Sequence, residues 1–148
     1  MSTAARLVVP PKTIADWLAE VHDTHHPVGS GLYYEEQKRE AKRRAADFRS
    51  ARLPKFMNYF ERILARNPGD YLVGKTFSYA DISLFQMVAG LRYAFPRAME
   101  LRLEKCPRLA ALHSCVETRP RIAEYLASKR RIPFNKQGIF RHYPELDG

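Results

Sequence analysis

Three imidazoles fall within five residues at His22-Asp23-Thr24-His25-His26. On a helix, His22 shares a face with His25 and His26, a spacing that can set two imidazoles on one metal ion. The Glu of a metalloprotease helix is missing, and no third ligand stands at a recognisable spacing. The histidines therefore read as surface or pocket-lining groups near a helix end, where partial positive charge suits the dipole. No metal site is expected. A second cluster is aromatic, Tyr33-Tyr34 with Tyr93 and the aromatics of the tail, able either to line a pocket or to fill core. A third is Ser78 with Asp81, the spacing of a capping box: the Ser hydroxyl can accept from the Asp81 N–H, and the carboxylate can reach back to the Ser78 N–H. That role is structural, and no residue reads as catalytic. The fourth is the basic run from Lys38 to Lys55, with Lys129-Arg130-Arg131 later. It lacks helix-turn-helix, RNP and finger signatures, and Glu35, Glu36, Glu40 and Asp47 interrupt it. It reads as a solvated face, not a nucleic-acid surface.

These groups must be positioned by helices, because no alternating strand pattern and no internal repeat occurs anywhere in the chain. Residues 1–11 have no period and end in Pro10-Pro11, so they are expected as a disordered or extended leader. Thr13 can cap a helix to about His26, with Ile14, Trp17, Leu18 and Val21 on one stripe. Pro27, Gly29 and Gly31 break it, and Leu32-Tyr33-Tyr34 reads as a loop. A long helix from about Glu36 to Arg66 follows, with a kink expected near Arg52 to Pro54, where proline removes a hydrogen bond. Asn67-Pro68-Gly69-Asp70 stops it. From Ile82 to Tyr93 the chain is apolar on almost every side, which predicts a helix buried all round, with Phe77 and Ile82 placed as a hydrophobic staple. A short helix or turn carries Met99 to Leu103. Pro107 opens a helix with Leu109, Leu112 and Val116 inward, and Pro120 opens another with Ile122, Tyr125 and Leu126 inward. The tail from Pro133 reads as irregular, anchored by Phe134, Ile139, Phe140 and Tyr143. The expected fold is an all-α bundle of five or six helices around the segment that Ser78 and Asp81 open.

A chain of 148 residues is a natural single domain with room for a core. No apolar run approaches the roughly 20 residues needed to cross a bilayer, and the N-terminus lacks the pattern of a secretory signal. Cys106 and Cys115 are too few for a disulfide scaffold, and on a helix they would face opposite ways. The expected location is a reducing cytoplasm. The net charge of +9 allows an anionic partner without requiring one.

The pattern Tyr71-Leu72-Val73-Gly74 through Ser78-Tyr79-Ala80-Asp81 resembles the hallmark of the glutathione transferase C-terminal domain. The resemblance continues through Cys106-Pro107-Arg108-Leu109, Arg119-Pro120-Arg121-Ile122-Ala123-Glu124-Tyr125-Leu126 and Arg131-Ile132-Pro133-Phe134, and upstream it covers about Thr13 to Leu64. It implies a GST C-terminal-like helical domain over residues 12–148, with glutathione as co-substrate and no tightly bound cofactor. It also implies that His25, His26, Tyr33, Tyr34 and Phe140 wall a site for a hydrophobic electrophile. Glu20 or Asp23 would contact glutathione bound in the partner subunit of a homodimer. In that family the thiol-activating residue belongs to a thioredoxin-like half, which this chain does not resemble. The expectation is thus a substrate-binding half, inactive alone. The alternative is a non-catalytic interaction module like the transferase-like domains of elongation factors and tRNA synthetases.

Overall fold

The computed structural model describes residues 3–148, with side chains from residue 12 onward. Among the described residues every regular element is helical. The order is α1 (Thr3–Asp23), a 3-10 turn (Tyr34–Glu36), α2 (Lys38–Asp47), a π-helical turn (Phe48–Arg52), α3 (Leu53–Arg66), α4 (Tyr79–Ala94), α5 (Pro96–Leu103), α6 (Pro107–Glu117), α7 (Pro120–Ala127) and the single-turn α8 (Pro144–Asp147). Counting α2 through α3 as one interrupted rod leaves six helices before α8, the bundle the sequence implies.

Three departures from the sequence reading have physical causes. First, α1 begins at Thr3, so residues 3–11 are helical where a disordered or extended leader was expected. Residues 4–7, Ala-Ala-Arg-Leu, are strong helix formers, and the helix runs on through Pro10 and Pro11, each of which removes a donor and crowds the carbonyl four residues earlier. Thr13 is therefore an interior residue, and the helix stops at Asp23. There the Thr24 hydroxyl takes the Val21 carbonyl at 2.7 Å. Second, the kink before Pro54 is a widened π turn, with the Leu53 N–H reaching back to the Phe48 carbonyl. Widening the turn carries the Ser50 carbonyl away from the proline ring, which would otherwise strike it. Third, α8 lies inside the tail that was read as irregular.

The centre of the bundle is α4, packed against α1, α5 and α6. Gly74 turns the chain with φ of +62°, a left-handed conformation that suits glycine. The loop then delivers Ser78 to the cap. Asp81, fully buried, accepts from the N–H of Leu72 at 2.8 Å, the N–H of Ser78 at 2.8 Å and the Ser78 hydroxyl at 3.2 Å. The staple does not form as expected: Phe77 packs on Tyr71 and under the Arg119 guanidinium, 3.7 Å away, while Ile82 is exposed. Nor is α4 buried all round, since Tyr79, Ile82 and Gln86 open to one side.

Two further helix starts are capped from a distance. Glu61 of α3 accepts from the N–H groups of Arg108 and Leu109 at 3.1 and 2.9 Å, the first turn of α6. Asp147 accepts from Arg97 and Ala98 at 2.8 and 3.1 Å, the first turn of α5. Each carboxylate takes N–H groups that no residue of its own helix could reach. The core between α1 and α3 is a stack, with Trp17 5.3 Å from Phe56 and 5.9 Å from Phe60. On α6, Leu109, Leu112 and Val116 are buried as expected, together with His113. On α7, Ile122 and Leu126 are half-buried, but Tyr125 turns outward beneath Arg130.

Candidate functional site

The side of α4 that no helix covers faces an apolar groove of about 670 Å³. Ile14 and Leu18 of α1 form one wall, and Ile82, Gln86 and Met87 of α4 form the floor. The opposite wall is the tail, from Ile132 to Phe140. Polar atoms are few, from Ser83, Gln86 and Asn135. That composition, apolar walls with sparse oriented polar groups, suits a hydrophobic small molecule.

The tail keeps its position by aromatic packing. Phe134 stacks on Tyr93 at 5.2 Å and meets Phe140 edge-on at 5.8 Å. Phe140 lies directly on Gly90 of α4, where any added Cβ would meet the ring at 2.5 Å. Glycine is thus needed at 90 so that the tail can approach the central helix. His142 adds a bond to the Ala94 carbonyl at 3.1 Å.

His25 joins α1 to this wall. Its ring is buried, with Nε2 2.7 Å from the Ile139 carbonyl and Nδ1 2.5 Å from Nδ1 of His26. A carbonyl only accepts, so His25 carries its proton on Nε2 and His26 donates from Nδ1. Burial is the main reason the His25 pKa falls to about 4, and Arg141 and the neighbouring imidazoles push the same way. Burial followed by Arg141 lowers His26 as well. His22 completes the cluster, 5.2 Å from the His25 ring and 5.3 Å from that of His26. Among the described residues no three His, Cys, Asp or Glu side chains are arranged to hold a metal ion.

The residues singled out from the sequence therefore divide. Phe140 lines the groove, and His25 and His26 reach it through Ile139. Neither tyrosine lines it. Tyr33 is 81% exposed, whereas Tyr34 is buried between α2 and α8, stacked on Tyr143 at 3.8 Å with its hydroxyl donating to Glu145 at 2.9 Å. Burial and then that carboxylate push the Tyr34 hydroxyl up. Of the two carboxylates at the end of α1, Glu20 is held by Arg52 through bonds of 2.6, 2.9 and 3.1 Å. Asp23 stands half-exposed beside His22 at 3.4 Å. The groove residues not foreseen, Ile82 and Gln86, sit on the helix read as buried all round, and their mixed polarity is the one sequence sign of an open side. Ile14 and Leu18 lie on the stripe assigned wholly to core.

Four of the eight basic side chains from Lys38 to Lys55 are engaged with partners. Lys38 pairs with Glu145 at 3.2 Å, Arg44 with Asp47 at 3.0 Å, and Arg52 with Glu20. Arg49 donates to the Asp147 carbonyl at 2.9 Å. Cys106 is a buried free thiol and Cys115 an exposed one. No described helix is long and apolar enough to cross a membrane.

The sequence matches the family model for the glutathione S-transferase C-terminal domain over residues 22–129. A glutathione S-transferase of Plasmodium yoelii yoelii is 30% identical over 89 residues, 60% of this chain and 41% of that protein. A glutathione S-transferase of Plasmodium falciparum (isolate 3D7) is 26% identical over 95 residues, 60% of this chain and 43% of that protein. The chain thus spans about two fifths of the length of the curated relatives it matches. A family match across most of the chain, on a helical bundle whose central helix is opened by the Ser78/Asp81 box, places it: the chain belongs to the glutathione S-transferase family and carries the family's C-terminal domain.

Proposed function

We propose that this chain supplies the acceptor-substrate half of a glutathione transferase, holding a hydrophobic electrophile for attack by the glutathione thiolate. The observation that supports this reading is the apolar groove between α1, α4 and the tail, sized for a small organic molecule and poor in polar groups. In this reading Phe140 and Ile82 contact the acceptor, and Gln86 and Ser83 orient it. His25 and His26 hold the wall behind it, in place of the direct contact first assigned to them. Tyr33 and Tyr34 take no part in that wall. Of the two candidates, Asp23 and not the ion-paired Glu20 is left to reach glutathione on a partner subunit of a homodimer. Lowering a thiol pKa needs a hydrogen-bond donor held at the sulfur. In the family that donor belongs to a thioredoxin-like half, so in this reading the chain binds the acceptor and that half activates the thiol. Two free thiols fit a reducing compartment such as the cytoplasm.

A second reading, a non-catalytic interaction module, draws support from the groove's rim. Ile132 is 81% exposed, Ile82 43% and Ile139 40%, an apolar border that another protein surface could cover. One experiment separates the two. The purified chain is titrated with 1-anilinonaphthalene-8-sulfonate at pH 7.5, competed with a general aromatic electrophile, then assayed for conjugation with glutathione alone and with a thioredoxin-like half supplied in trans. Competition that weakens in Phe140→Ala, with turnover only when the second half is present, is the expected result. No competition by the electrophile overturns the acceptor-site reading and leaves the interaction module.

A further inference from the structure

We propose that the tail face of the bundle is a docking surface for anionic lipid, which seats the mouth of the groove on a negatively charged bilayer. The inference goes beyond the acceptor-site reading and does not rest on it. Residues 125–144 hold Lys129, Arg130, Arg131, Lys136 and Arg141, and no Asp or Glu. More than half of the net charge of +9 thus comes from this one segment. In the run from Lys38 to Lys55, carboxylates grip three of the cations. In the tail, among the described residues, none is ion-paired. Arg130 lies over the ring of Tyr125, Arg131 over Phe134 and Lys136 over Tyr143, at 6.0, 5.6 and 5.9 Å. Arg141 donates to the Gly138 carbonyl at 2.8 Å. Rings and carbonyls hold these side chains in place without cancelling their charge.

The same face exposes aliphatic carbon. Ile132 and Ile139 of the tail border one groove with Ile82 of α4, and all three are exposed. No residue lining that groove is charged. An uncharged mouth, an aliphatic rim and a basic flank are what a surface at the headgroup–acyl boundary requires. The isoleucines enter the boundary, and the Lys and Arg side chains meet anionic headgroups. Nucleic acid fits the face less well, because isoleucine offers no ring on which a base can stack. The rings beside the cations are already covered: Tyr125 by Arg130, Phe134 by Tyr93 and Tyr143 by Tyr34. A specific protein partner would need oriented polar groups in the rim. Asn135 is spent on its own turn, accepting from the N–H groups of Gln137 and Gly138 and donating to the Pro133 carbonyl. A layer of headgroups needs no such pattern.

The test is sedimentation of the full chain with sucrose-loaded vesicles of phosphatidylcholine, alone or with about 30% phosphatidylserine. Partitioning should be at least about tenfold stronger on the anionic vesicles and should fall to the neutral level in about 0.5 M salt. Lys129→Glu with Arg130→Glu should remove most of the difference. Ile132→Ser should weaken binding about threefold or more while leaving the charge unchanged. Lys42→Glu with Arg43→Glu alters the charge equally on α2 and should cost far less. These side chains are all exposed, so the variants are expected to fold. Equal partitioning of the wild type on the two vesicle types overturns the proposal, whatever the variants do. So does an equal loss from the two charge pairs, or no loss from Ile132→Ser. Tighter binding to polyglutamate or duplex DNA than to the anionic vesicles, at equal charge, reassigns the face to an acidic protein or to nucleic acid. Sedimentation uses no electrophile, so failure of the acceptor site and failure of the lipid surface are seen separately.

Discussion

Two of the buried polar clasps in this molecule differ in what they tolerate. At the mouth of α4, the Asp81 carboxylate accepts from three donors, two of them backbone N–H groups. Two of those partners are backbone N–H groups that can only donate, and the Ser78 hydroxyl donates to the acid while accepting from the Asp81 N–H. At the end of α1, His25 stands between an acceptor, the Ile139 carbonyl, and another imidazole. That arrangement holds only while one of the two Nδ1 atoms carries no proton. The first clasp sits where the fold must never open, at the start of the central helix. The second sits at the wall of the groove. A buried group whose partners can change sides is a poor foundation.

The comparison is broken hardest by removing the carboxylate. Asp81→Ala orphans the N–H groups of Leu72 and Ser78 and should cost about 2–4 kcal/mol in urea denaturation. An unchanged midpoint would show that the box is not what secures α4. Gly90→Ala should come next, since its Cβ would meet the Phe140 ring at 2.5 Å and force the tail outward. Overpacking of this kind costs about 1–3 kcal/mol. Dye affinity in the groove should fall in the same variant, whereas Asp81→Ala should leave affinity unchanged wherever the protein remains folded. Glu20→Gln gives up the charge that Arg52 grips through three short contacts, and a loss of about 1 kcal/mol is expected for this partly exposed pair. A loss above 3 kcal/mol would mark the π turn that carries Arg52 as dependent on it.

The smallest effect sharpens the contrast in pH. Glu145 is held down to about 2, chiefly by its own backbone N–H and then by Tyr34 and Lys38. Its contribution is present above about 4.5 and fades as pH falls from there toward 2. Because the pair with Lys38 is open to solvent, Glu145→Gln should cost well under about 1 kcal/mol at pH 7. Acid titration should therefore show the α2–α8 contact weakening only below about 4.5. Weakening that begins well above that pH would mean that Glu145 does not secure the contact.

Much of the fold was legible because it is written locally. The Ser78/Asp81 spacing, the prolines that open α6 and α7, and the stop at Asn67-Pro68-Gly69 all act within one or two turns. The groove was only partly legible. Phe140 and the imidazoles stood out as residue types, but Ile82 and Gln86 look like any positions on a hydrophobic helix until the neighbouring tail leaves them uncovered. Tyr34 lies away from the groove for the complementary reason: its partners, Tyr143 and Glu145, lie more than a hundred residues away, and adjacency to Tyr33 says nothing about them. Helix α1 starts earlier than expected, running through two prolines that the rule against interior proline counts as a stop.

One remote cap has a consequence for how the molecule is made. Asp147 secures the opening turn of α5 from 50 residues downstream. During synthesis α5 therefore emerges with its first amides uncapped, and waits for a stretch of polypeptide that has not yet been translated. Closure of this corner waits for residues 144–147, and a nascent chain arrested short of them should remain a better substrate for chaperones than one that has passed them.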